Sequence, residues 1–187
     1  PPITGLLVLS QTDFAGEADP DGAVSGAGPA SPGGDLSPDL RHGERTEHRL
    51  TVRFPPGELS DVRVVLRAPG AFADPAAEGW RFGAGLVCET PGADPRREPL
   101  DDGGVVLEYP LGACASDPRA PAEQRVLLLD TSAVIVDADP RLSADARAAW
   151  RRPALEASLS HREGPSACAI HDIGRSALRI EGAALNV

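Results

Sequence analysis

Four histidines, three cysteines and two groups of acidic residues are the side chains of this 187-residue chain that could do chemistry. His161 and His171 stand ten residues apart, with Gly164-Pro165 between them, so a turn there would carry them onto two neighbouring strands. With Asp172 beside them they could form a metal or acid/base pair; the preferred reading is the polar end of a hairpin. His48 falls in the apolar phase of its stretch, where a solitary imidazole is expected to be packed and hydrogen-bonded rather than a ligand.

Cys88, Cys114 and Cys168 permit one disulfide and one free thiol. Cys88 and Cys114 lie in similar short contexts, Leu86-Val87-Cys88-Glu89 and Leu111-Gly112-Ala113-Cys114, on either side of a turn-rich stretch, and are the expected pair. Their spacing of 26 fits no zinc motif. Cys168 near His171 matches a nucleophile and base only in residue type, and no Gly-x-Ser-x-Gly elbow occurs. No enzyme is expected.

Glu17, Asp19 and Asp21, then Asp137, Asp139 and Asp145, are clustered oxygen donors of the kind Ca²⁺ takes. Neither cluster has a twelve-residue EF-hand loop, and Asp-Pro pairs also start turns. The expectation is no cofactor, with calcium the one ion to consider and Asp19, Asp21, Asp137 and Asp139 its candidate ligands.

The elements that must position these groups follow a period of two. From Thr46 onward His48, Leu50, Val52 and Phe54 alternate with Arg49, Thr51 and Arg53 until Pro55-Pro56-Gly57. Val62, Val64 and Leu66 repeat the pattern against Arg63 and Arg67 up to Pro69-Gly70. Further strands are expected at 80–89, 105–109, 125–129, 133–137, 155–160, 176–180 and 183–187. One helix is expected at 143–150, where Ser143 can cap an alanine-rich run that stops before Pro153.

Net charge is −10, and residues 11–45 hold seven acids against two arginines. A nucleic-acid partner needs a concentrated basic surface and is not expected. All 18 basic residues are arginine, so no lysine isopeptide crosslink can form within this chain. No apolar run has membrane-spanning length, and the chain reads as a secreted, extracellular product.

Residues 11–45 also contain seven Gly and four Pro, with few large apolar side chains. They separate a short apolar stretch, Ile3, Leu6, Leu7, Val8 and Leu9, from the rest. The domain reading is therefore an N-terminal strand or arm at 1–10, a tether or long loop at 11–45, and a β-sandwich at 46–187. Seven extended residues span about 23 Å, and a flexible 35-residue tether reaches roughly 30–35 Å. The strand can thus complete its own sheet or a neighbouring subunit's.

Leu50-Thr51-Val52-Arg53-Phe54-Pro55-Pro56-Gly57 and Val64-Val65-Leu66-Arg67-Ala68-Pro69-Gly70 are strands closing on Pro-Gly corners. Val106-Leu107-Glu108-Tyr109-Pro110-Leu111-Gly112 and Ala133-Val134-Ile135-Val136-Asp137 follow in order. These stretches resemble the immunoglobulin-like conserved-repeat domains of bacterial surface proteins and adhesins over about residues 46–187. The resemblance implies an all-β, immunoglobulin-like antiparallel sandwich and an extracellular spacer, stalk or assembly module without an active site. The expected function is a structural subunit of a surface appendage, filament or layer, partnered by its own kind through the N-terminal strand. The alternative is an adhesin or a calcium- or carbohydrate-binding module using Trp80 and Tyr109 on end loops.

Overall fold

The computed structural model describes residues 2–14, 39–40 and 42–180. Asp19, Asp21 and the strand expected at 183–187 lie outside them. Among the described residues the chain forms twelve strands: β1 (Thr4–Phe14), β2 (Asp39–Leu40), β3 (Glu44–Arg53), β4 (Gly57–Ala68), β5 (Phe72–Phe82), β6 (Leu86–Cys88), β7 (Arg96–Pro99), β8 (Val105–Ser116), β9 (Val126–Ile135), β10 (Ala154–Arg162), β11 (Cys168–Ala177) and β12 (Arg179–Ile180). The helix α1 (Ala144–Trp150) follows β9, and the Ser143 hydroxyl accepts from Ala146 N at its start.

One sheet runs β1-β3-β9-β5, and the other runs β11-β10-β4-β8-β6 with β7 also on β8. All these pairings are antiparallel; β2 and β12 form a short parallel pair. The alternation read from the sequence builds the core. Leu50, Val52, Leu127 and Leu129 come from one sheet and Val62, Val64, Leu66, Leu107, Leu111 and Leu159 from the other, each 0–1% exposed. Charged partners occupy the outer phase, as where Arg49 and Arg81 both reach Asp130. The chain is thus an all-β antiparallel sandwich with one short helix.

Several boundaries differ from the sequence reading, for identifiable reasons. The strands expected at 125–129 and 133–137 merge into one, β9 (Val126–Ile135), because the polar residues between them have partners. Asp130 is ion-paired, Thr131 donates to the His48 carbonyl, and Ser132 donates to Glu78. β8 runs through Pro110 instead of stopping at Tyr109. Pro110 falls between the part of β8 paired to β7 (residues 105–108) and the part paired to β6 (114–116), where no N–H is required on that side. Residues 80–89 do not make one strand: the chain leaves β5 at Phe82 and re-enters in the other sheet at Leu86. Gly83 lines that crossing, where a Cβ would lie 2.2 Å from the Gln124 carbonyl oxygen.

Candidate functional site

The N-terminal strand is seated in its own chain's sheet. β1 lies antiparallel to β3 with Thr4 opposite Arg53, Leu7 opposite Leu50 and Phe14 opposite Glu44, interrupted by one bulge between Leu9 and Gln11. The strand is longer than the expected 1–10 arm, and β3 begins two residues before the expected sandwich boundary at 46. Ile3 and Leu7 are buried and Leu9 packs against the core, while Leu6 faces out at 48% exposure and Val8 is half-buried.

The free edge of β1 is closed by the other sheet, since β1 packs against β11. Two glycines permit that approach. A Cβ on Gly5 would lie 2.3 Å from both Ile173 Cγ2 and the Thr51 carbonyl oxygen, and one on Gly174 would lie 2.6 Å from Leu7 N. Ile173 of β11 is itself core. The strand is thereby held on one side by a ladder and on the other by side-chain packing.

Cys88 and Cys114 face each other across β6 and β8 and are joined as a disulfide, with their Cα atoms 4.1 Å apart. Cys168 is free and exposed at the start of β11. The bond ties a three-residue edge strand to the long strand beside it.

Of the four histidines, two meet. His161 Nε2 and His171 Nε2 are 3.0 Å apart, and the rings are parallel to within 10°. The Gly164 turn between them, with φ of +81° and Glu163 N donating to Ala167 O, folds β11 back onto β10. His161 is 9% exposed and His171 half-buried. His48 is buried edge-on against Phe72, 6.0 Å between centroids, and among the described residues its Nε2 has no hydrogen-bond partner. Burial lowers its pKa to about 4. It is packed as expected, but not bonded at that nitrogen. His42 Nδ1 accepts from Asp137 N.

Asp137 and Asp139, the acidic candidate ligands among the described residues, are bonded locally. Asp137 accepts from Ala138 N, and Asp139 accepts from the Arg141 guanidinium and backbone N–H, which hold its carboxyl below the usual carboxylate range. Among the described residues no three His, Cys, Asp or Glu side chains converge on a common point. Trp80 and Tyr109 are strand residues, not loop residues. They pack edge to face at 5.3 Å, with Tyr109 buried, its phenol pushed up by that burial, and Trp80 half-buried. A cavity of about 600 Å³ opens beside α1, lined by Gly70, Asp101, Asp102, Leu142, Trp150 and Pro153. Asp102 there spends both oxygens on Gly70 N and Gly104 N, and the Trp150 indole donates to the Val136 carbonyl.

The arrangement defines a two-sheet sandwich whose chemistry-bearing side chains are mostly consumed by the fold. No family model and no curated protein matches the chain. Among solved structures it is similar to the collagen-binding subdomain of the Enterococcus faecalis surface protein ACE, at 9% identity and TM-score 0.35 over 72% of this chain and 87% of that one. It is also similar to the Corynebacterium diphtheriae major pilin SpaA, at 12% identity and TM-score 0.40 over 72% of this chain and 31% of the pilin. The Bacillus cereus major pilin subunit BcpA is similar at 8% identity and TM-score 0.37, over 76% of this chain and 36% of the pilin. The chain spans about a third of the length of either pilin. The likeness concerns fold alone.

Proposed function

We propose that this chain is a non-catalytic structural module of an extracellular surface assembly, such as an appendage, filament or layer. The observation that carries the reading is the seating of β1. Its register with β3, the burial of Ile3 and Leu7, and the close approach of Gly174 to Leu7 make a closed unit with its N-terminal strand built in. The Cys88–Cys114 bond suits an oxidising compartment. No nucleophile, base and orienting third group stand together among the residues described above. The seat that β1 occupies within the chain is the same seat it would fill in a neighbour if copies assembled by strand donation. Donation would repeat the Leu7 to Leu50 register between two chains and leave this chain's own groove for the next strand.

Two measurements test the proposal. Brief treatment of intact source cells with a membrane-impermeant protease is expected to release peptides of this chain, and full protection would contradict the surface placement. Sedimentation at rising protein concentration distinguishes the closed module, which stays a monomer, from a strand-exchanging polymer.

A further inference from the structure

We propose that His161 and His171 form a two-histidine chelate for a divalent transition-metal ion of the zinc, nickel or copper type, on the inner face of the β10–β11 hairpin. The two imidazoles come from adjacent antiparallel strands. His161 stands opposite Ala169, and His171 stands opposite Leu159. Their rings meet at the Nε2 corners, 3.0 Å apart. At that distance one nitrogen carries a proton and the other a lone pair.

The hydrogen bonding says which is which. His161 Nδ1 lies 3.2 Å from the carbonyl oxygen of Arg162, which can only accept, so Nδ1 carries the proton in the metal-binding tautomer. His161 Nε2 therefore presents its lone pair, and His171 Nε2–H donates to it. A backbone carbonyl on Nδ1 is the partner that orients a histidine for metal binding through Nε2.

Two Nε2 atoms bound to one tetrahedral zinc at about 2.0–2.1 Å lie roughly 3.3 Å apart. The pair reaches that separation by opening a few tenths of an ångström as the rings turn their lone pairs toward the ion. The Nε2 proton of His171 moves to its own Nδ1, and both ligands stay neutral. Imidazole nitrogen selects zinc, copper and nickel over calcium or magnesium, which take oxygen. With no third ligand converging among the described residues, water or a side chain of another molecule completes the coordination.

The test is calorimetric titration of the Cys168→Ser chain with ZnCl₂, since the exposed thiol is the one competing soft ligand nearby. The expected result is one ion per chain, with affinity at least ten-fold weaker in His161→Ala and in His171→Gln and unchanged in His42→Ala. Because His161 is nearly buried, His171→Gln is the decisive variant, its fold verified by circular dichroism. With Cu²⁺, the electron paramagnetic resonance spectrum is expected to show coupling to two nitrogens, reduced to one in His171→Gln. Zinc binding that survives His171→Gln undiminished, or no binding at millimolar zinc, overturns the proposal.

Discussion

Gly174 on β11 faces the backbone of Leu7 on β1 so closely that a β-carbon added to it would lie 2.6 Å from the Leu7 nitrogen and 2.8 Å from the Leu7 Cβ. The two edge strands close one side of the sandwich at this point, and they do so because residue 174 has no side chain. Gly174→Ala must push β1 away from β11 and is expected to lower stability by about 1–3 kcal/mol. Gly79→Ala, where an added Cβ meets nothing within 4 Å, is the matched control and should change little. Urea unfolding of both variants checks the contrast.

Leu7 is 3% exposed in the core. Leu7→Ala is expected to cost about 2–5 kcal/mol, whereas Leu6→Ala, on the outer face, should cost under about 1 kcal/mol. Equal effects at the two positions, by denaturant midpoint, would mean that the strand is not seated in the phase described.

Most of the sandwich was legible because the inner faces of β3, β4 and β10 alternate without interruption from Leu50 to Val52, Val62 to Leu66 and Leu155 to Leu159. β11 was largely hidden, since His171, Asp172, Gly174 and Arg175 break any apolar rhythm. Its place is set by neighbours, with Gly174 required by Leu7 and Ile173 supplied to the core. The His161–His171 contact was foreseeable as two strands meeting at a turn, but the tautomer depends on the Arg162 carbonyl, which no residue type encodes. The seating of Ile3 and Leu7 was open in the sequence, because an apolar strand reads the same whichever sheet it completes.

His48 gives the fold a dependence on pH. Its pKa falls from 6.5 in the unfolded chain to about 4 in the fold, so the unfolded state binds its proton more readily. The stability that neutral His48 confers is full above pH 6.5 and is lost as pH falls from 6.5 toward 4, by about 3 kcal/mol in all. His48→Leu should flatten this part of the stability profile. A profile unchanged by the substitution, measured by urea unfolding across that window, would mean that His48 is not buried as described.

The Cys88–Cys114 bond links residues with a sequence separation of 26, for which chain-entropy arguments give a stabilisation of about 3.5 kcal/mol. The double variant Cys88→Ser/Cys114→Ser is expected to remain folded with a lower melting temperature. Reducing agent should lower the melting temperature of the parent chain by the same amount and leave that of the double variant unchanged.

The most direct test of the closed-module account is a crosslink at Leu6 and Thr51, which stand opposite each other on the outer face of β1 and β3. In the Cys168→Ser background, Leu6→Cys/Thr51→Cys is oxidised and resolved by non-reducing electrophoresis. A crosslink closed within one chain, migrating as a monomer at every protein concentration, is the predicted result; a ladder of disulfide-linked multimers through these two positions would contradict it and show that β1 completes a neighbour's sheet.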